Sequence, residues 1–545
     1  MNSQENFDYI IVGAGSAGCT LANRLSEDEN VSVLVLEAGG QDRDPLIHVP
    51  LGWGKILFNR LHDWGYFTEP EPELNNRRVE CARGKVIGGS SSINAMAYVR
   101  CHPADYDRWA NLGLKGWSYA EVLPYFQRSE DWEGGKSNIR GSGGPLTVTQ
   151  NIYPDPLKEA WFEAGEAAGF TVTEDYNDMQ NEGFCIMQST IRKGKRCSAA
   201  VAYLRPAQER HNVTVINRSL VTRLIINKGK IQGLEYSRAG QNHTVNSDRE
   251  VILSAGVINT PQLLMLSGIG DPDHLKTLDI ECSTPLLGVG QNLQDHIGVG
   301  IEFERKKDGP FVKHLRYDRI ILAMMRAHFF GTGFATEMPG PVMAFLKSDP
   351  KLNQPDIQLL TRFVPPESQP WFPGFRKKPR DAFMCRPAVL HPESRGEIKL
   401  KSKDPCEKVA IHQNFLTSEN DWRTLRTGFK IVREVAHQKP LDEFRGPEIQ
   451  PGSNIKSREE IDNYIRRTAW TVHHPLGTCK MGIKSDKMAV VDEQLRVFGV
   501  DGLRVVDASV MPDMPGGNIN APVIMMAEKV ADLIKGKKPL EPARL

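Results

Sequence analysis

Phe7-Asp8-Tyr9-Ile10-Ile11-Val12 runs without a break into Gly13-Ala14-Gly15-Ser16-Ala17-Gly18, and no other feature restricts the fold of this chain as strongly. The first stretch is an apolar, β-branched run of the kind that forms a buried parallel strand. Beyond the glycines, Leu21, Ala22 and Leu25 recur at helical spacing, and Val31–Leu36 reads as a second strand ending at Glu37. Together these pieces form a βαβ unit with GxGxxG at its first turn. Gly13 permits the tight turn, Gly15 lets a pyrophosphate approach the backbone, and Gly18 lets the helix pack on the strand. The helix start offers free N–H groups and a positive dipole to phosphates. Glu37 can accept hydrogen bonds from a ribose diol and disfavours a 2′-phosphate. Gly13, Gly15, Ser16, Ala17, Gly18, Glu37 and the adjacent Ala38 are therefore cofactor-binding candidates. The motif alone does not separate FAD from NAD. It does open the chain, and no second GxGxxG follows for a nicotinamide cofactor.

At 545 residues the chain exceeds what one hydrophobic core supports, so two domains are expected. Lys plus Arg is 68 and Asp plus Glu is 67, which leaves no global field to draw nucleic acid. No apolar run approaches the roughly 20 residues of a membrane span. The nine Cys are scattered without a CxxC pair, so neither a structural zinc site nor any other metal site is expected. The start, Met1–Phe7, is polar and shows no secretory signal. Reduced thiols in a cytoplasmic protein are the plain expectation.

A second small-residue stretch runs from Arg83 to Asn94 (RGKVIGGSSSIN), where small side chains let a ring or phosphate come close. With the trailing Ala95-Met96-Ala97-Tyr98 it resembles the first signature of the glucose–methanol–choline (GMC) oxidoreductases. Gly256–Gly270 resembles the second, with Val257 where the family usually has a smaller residue. Gly290-Gln291-Asn292-Leu293-Gln294-Asp295-His296 and Val505-Val506-Asp507-Ala508-Ser509 are further look-alike segments, and the match spans nearly the whole chain. The resemblance implies FAD. It places Gly88, Ser92, Asn94 and Ala95 along flavin and pyrophosphate, with Arg83, Gly89 and Met96 counted beside them. Val221 resembles the position whose backbone meets the adenine. Asp507, followed by Ala508, resembles the residue near the ribityl and pyrophosphate. Some relatives tether flavin through a histidine at the position held here by Ile93, so noncovalent FAD is expected.

The fold implied is α/β, α+β overall. A Rossmann-like FAD domain (1–150, 196–300, 468–545) is joined by a substrate domain (151–195, 301–467) built on an antiparallel sheet and helices.

Thr471–Cys479 (TVHHPLGTC) and Gly516–Pro522 (GGNINAP) resemble the family's active-site segments. By that match His474 is the base and Asn520 its partner. Asn518 is assigned to the cofactor, and His473 to packing near the substrate. An alcohol O–H has a pKa near that of bulk water, roughly 16, so a free alkoxide is inaccessible at neutral pH. A neutral imidazole can take that proton while the C–H bond breaks. An asparagine N–H can stabilise the developing alkoxide. The hydride is expected to pass to flavin N5.

The substrate is expected to be an uncharged primary alcohol, or the hydrate of an aldehyde, in a pocket formed by His391, His473, Met343 and Phe345 with Met338 and Val342. Choline-oxidising relatives carry a glutamate for the quaternary ammonium where Pro341 stands here, so choline is disfavoured and stands as the alternative substrate. A flavin lyase or photoenzyme on the same scaffold, or a non-catalytic flavin-binding protein, are the rival functions. Oxygen, a quinone or a redox protein could accept the electrons, and a homodimer is left open. The loop bearing Pro365-Pro366, Trp371, Phe372 and Phe375 reads equally as a pocket wall or as surface. Asp318–Phe330 is expected to be a buried helix; resting on a membrane surface is its alternative. Cys385 and Cys479 are expected to be apolar fillers.

Overall fold

A computed structural model of the protein describes residues 6–365 and 368–545. Met1–Glu5 and Pro366–Glu367, hence most of the polar start and half of the Pro-Pro pair, lie outside the described residues. The expected βαβ unit is present: β1 (Asn6–Val12), α1 (Ser16–Leu25) and β2 (Val33–Glu37). The sheet continues with β3 (Val213–Asn217), β4 (Ser219–Asn227), β5 (Lys230–Arg238) and β6 (Gln241–Leu253). Helix α2 (Gly256–Leu266), β7 (Leu503–Val505) and α3 (Asn520–Ile534) complete this layer. β2, β1, β6 and β7 pair in parallel, and β3 pairs with the outer edge of β2. The long β6 joins the two parts of this one mixed sheet: its second half lies against β1, and its first half continues antiparallel into β5 and β4. All five residues of β2 are buried, as a strand covered on both faces requires.

The carboxyl ends of the parallel strands converge. Gly13 follows β1, Glu37 ends β2, Ser254–Gly256 follows β6 and Asp507 follows β7. Open α/β sheets bind ligands along this edge. Helix α3 packs beside α1, and Arg24 of α1 forms an ion pair with the buried Glu528 of α3 at 2.9 Å.

Above that edge lies a second, antiparallel sheet in the order Arg445–Gln450, Ile301–Arg305, Ala382–Val389, Ile357–Arg362, Val342–Leu346, Gly183–Ile186. One face buries Phe303, Leu359, Phe383 and Cys385 under the helix Glu419–Ala436. The alternate residues, Met343, Leu360, Arg362, Met384 and Arg386, line the cleft between the two layers. Cys385 and Cys479 are buried and unpaired, as fillers should be.

One expectation is overturned. The helix Tyr317–Phe330 buries only Ala327, and it leaves Ile321, Leu322, Met325, Phe329 and Phe330 exposed, Phe330 by 77%. Tyr317 N donates to Trp371 O, which sets the loop with Phe372 and Phe375 beside this face and away from the cleft. No described helix is long and apolar enough to cross a membrane.

Candidate active site

The two glycine turns are stacked at the base of the cleft. A Cβ on Gly13, where φ is +99°, would lie 2.5 Å from the Ser254 carbonyl oxygen, and one on Gly18 would lie 1.9 Å from that of Gly13. A Cβ on Gly89 would strike Gly15 Cα at 2.7 Å, whereas Gly15 itself is open to the cleft. Glu37 accepts from Ala14 N at 2.8 Å and Gly39 N at 2.6 Å, and burial pushes its carboxyl up to about 7. Asp507 accepts from Gly256 N, Ser509 N and the Thr260 hydroxyl, so it joins the ends of β6 and β7.

Ser16, Ala17, Ala38, Arg83, Asn94 and Ala95 line this cleft, as do Met96, Val221 and Ala508. Gly18, Gly88 and Ser92 do not: Gly18 packs against Gly13, and Ser92 donates to Ile87 O beneath Gly88. These three shape the turns rather than the cleft surface. The cleft runs unbroken from Gly13, Ser16 and Glu37 to His474 and Asn518. Such a length fits FAD. The first turn of α1 and the bare Gly15 backbone suit its pyrophosphate, Glu37 a ribose, and the apolar wall of Ile93, Ala95 and Val257 its ring.

At the far end, a chain of hydrogen bonds fixes one proton arrangement. The Leu390 carbonyl can only accept, so His296 Nε2, 2.9 Å away, carries a hydrogen. Neutral His296 then presents a lone pair at Nδ1. His474 Nδ1, at 2.9 Å, must donate to it. The lone pair of His474 is thereby left on Nε2, where Asn518 Nδ2 donates at 3.0 Å. Asn518 Oδ1 accepts from Gln358 Nε2 at 3.1 Å, in keeping with the amide orientation that the His474 lone pair requires. Asp295 accepts from His474 N at 2.8 Å and from the Thr471 hydroxyl, holding the backbone of this loop.

The placement of the two asparagines corrects the sequence assignment. Asn518, not Asn520, meets His474. Asn520 is the first residue of α3, and its Oδ1 accepts from the Ser16 hydroxyl at 2.7 Å, tying the starts of α1 and α3 together. His473 lines the cleft with a left-handed backbone (φ +66°) and a buried Nδ1 that has no partner among the described residues. Met343, Met338 and Val342 line the cleft, as expected of a pocket wall. His391 and Phe345 do not. His391 Nε2 lies 2.9 Å from Asp105 Oδ1, and Phe345 packs on Tyr176 at 5.5 Å between ring centres. His296, Gln358, Arg362 and Arg386 were missed. For His296 the signal was present, as the last residue of the Gly290–His296 segment.

Family models described as GMC oxidoreductase match residues 7–298 and 392–527. An oxygen-dependent choline dehydrogenase of Sinorhizobium fredii is 46% identical over 533 residues, 98% of this chain and 96% of that protein. Its counterpart in Sinorhizobium medicae gives the same identity and coverage. The crystal structure of a pyridoxine 4-oxidase from Mesorbium loti superposes with a TM-score of 0.87 at 33% identity, covering 98% of this chain and 100% of that one. A formate oxidase variant from Aspergillus oryzae gives 0.88 at 28% identity, covering 98% of each chain.

Burial is the leading cause that holds His474 well below its ordinary value and brings His296 and His473 down to about 3. In the unfolded chain all three titrate near 6.5. Below that pH the unfolded state binds protons that the native state refuses, so stability falls with falling pH. We predict that these rings pull the denaturation midpoint down as the pH is lowered from about 6.5 toward 3, against the raised carboxyls of Glu37 and Asp295, which pull the other way. Replacing His296 and His473 by Gln is expected to flatten that drop, as chemical unfolding across the range would show.

Proposed function

Because the chain belongs to the GMC oxidoreductases, FAD-dependent enzymes acting on CH–OH donors, we propose that it oxidises a primary alcohol to its carbonyl with His474 as the base and Asn518 as its partner. The carrying observation is the Nε2 lone pair of His474, fixed by His296 and facing Asn518 in the cleft. An alcohol hydroxyl bridging the two gives its proton to Nε2 and accepts from Asn518 Nδ2 as charge builds on its oxygen. Burial keeps His474 neutral, so the base form is present throughout the neutral range. Bound FAD supplies the hydride acceptor. FAD held without a covalent bond is part of this reading, since Ile93 offers no nucleophile at the cleft wall. The intact His–Asn pair disfavours a lyase or photoenzyme and a merely flavin-binding protein.

The relatives named choline dehydrogenase make choline a substrate to weigh. A quaternary ammonium needs a carboxylate or an aromatic cage. The substrate end here offers Met338, Pro339 and Met343 beside Arg362 and Arg386 and, among the described residues, no carboxylate, so we assign a different alcohol.

One further observation favours a peripheral membrane position. The exposed apolar face of Tyr317–Phe330, joined by Phe375 at 89% exposure, is flanked by Lys313, Arg319 and Lys377, a pattern suited to an anionic bilayer surface. A quinone would then be the acceptor; oxygen, in the name of the relatives, is its competitor.

His474→Ala is expected to slow alcohol-dependent flavin bleaching by on the order of 10²-fold or more, and Asn518→Ala by about 10²-fold, in anaerobic stopped flow. An unchanged rate in His474→Ala would reject the base. The protein is expected to float with vesicles of phosphatidylcholine and phosphatidylglycerol, and Leu322→Glu with Phe330→Glu to abolish flotation. Equal flotation of both proteins would reject the membrane position.

A further inference from the structure

We infer that Arg386 forms an anion subsite at the substrate end of the cleft, and that the alcohol oxidised here carries a carboxylate apart from its reacting CH–OH group. This rests on the alcohol-oxidising reading above and narrows its substrate class.

Arg386 sits on Ala382–Val389, opposite Leu360 and diagonal to Arg362, on the side of the sheet that faces the cleft. Its stem lies on backbone: a Cβ on Gly298 would come within 3.1 Å of its Cγ. Its guanidinium carbon stands 4.9 Å from the centre of the Trp470 ring, which steadies the plane of the fork. Among the described residues, no carboxylate lies within ion-pair distance of Arg386, and its guanidinium donates no hydrogen bond to the protein. Each arginine fork carries five N–H donors that want acceptors. Burial, with Arg362 adding to it, brings Arg386 down to about 9; a cation so placed gains from any anion that joins it.

The carboxylates nearby are committed elsewhere. Asp295, the acid that acts on Arg386, accepts from Thr471 and from His474 N. Glu302 acts on Arg362 across the intervening Met384. At the other end of the cleft, Glu37 and Asp507 serve the glycine turns. Arg83, the remaining cation of this wall, donates to the carbonyls of Ala82 and His473. The wall of this end thus carries Arg83, Arg362 and Arg386, and the planar fork of Arg386 has no acceptor among the described residues, which matches the two oxygens of a carboxylate. His474, Asn518 and Arg386 line one space, so a single molecule can present its hydroxyl to the first two and its carboxylate to the third.

The test uses FAD-loaded enzyme and paired alcohols: ω-hydroxy acids and hydroxymethylbenzoates, each against its methyl ester. The wild type is expected to favour the acid of the best pair at least about tenfold in kcat/KM, the factor typical of a charge-assisted hydrogen bond. Arg386→Met is expected to bring that acid-to-ester ratio to about one, and Arg386→Lys to restore part of it. Methylbenzoate, which lacks the hydroxyl, is expected to perturb the flavin spectrum of the wild type and not that of Arg386→Met. Equal use of acid and ester by the wild type, or a ratio untouched by Arg386→Met, would overturn the anion subsite while alcohol oxidation stands. If methylbenzoate binds through Arg386 but no alcohol bleaches the flavin, the subsite stands and the oxidation reading falls.

Discussion

The hydrogen bond between His296 Nδ1 and His474 Nδ1 decides what this site can do. Either ring alone could hold its proton on either nitrogen. Locked between the Leu390 carbonyl and Asn518, the pair has one neutral arrangement, with the lone pair of His474 facing the cleft. Burial supports this by making a proton on either ring costly. The fold itself thus keeps the Nε2 lone pair of His474 free of a proton.

Both layers of the molecule contribute to this end of the cleft. The parallel sheet brings its glycine turns, Glu37 and Asp507 to one edge. Each of these acids is spent on backbone N–H groups, so the cradle is rigid before a dinucleotide enters. The antiparallel sheet supplies the roof, and strand alternation splits it cleanly. Its outer face is aliphatic and aromatic under the long helix, and its inner face carries Met343, Met384, Arg362 and Arg386. A single chain thus places the glycine turns, an imidazole with a free lone pair and a cation along one cleft.

The sequence made the first layer readable because glycine constraints are local: only glycine tolerates the approaches seen at Gly13 and Gly18. It was less informative where a side chain's direction depends on the fold. Asn518 and Asn520 flank a helix start, and two residues of turn are enough to send one to His474 and the other to Ser16. His391 sits beside a resemblance-bearing segment, yet a buried acid distant in sequence, Asp105, takes it. The apolar spacing of Tyr317–Phe330 is the same for a covered helix and an uncovered one, and only the packing shows it uncovered. Arg386 did leave a trace, as a lone charge in the apolar strand Ala382–Val389.

The central claim is that His474 and Asn518 share one hydroxyl. A crystal structure of the FAD-loaded protein with a slowly oxidised alcohol tests it most directly. The account predicts the alcohol oxygen within hydrogen-bond distance of both His474 Nε2 and Asn518 Nδ2. An oxygen bound instead beside Asn520, or out of reach of His474, would contradict it.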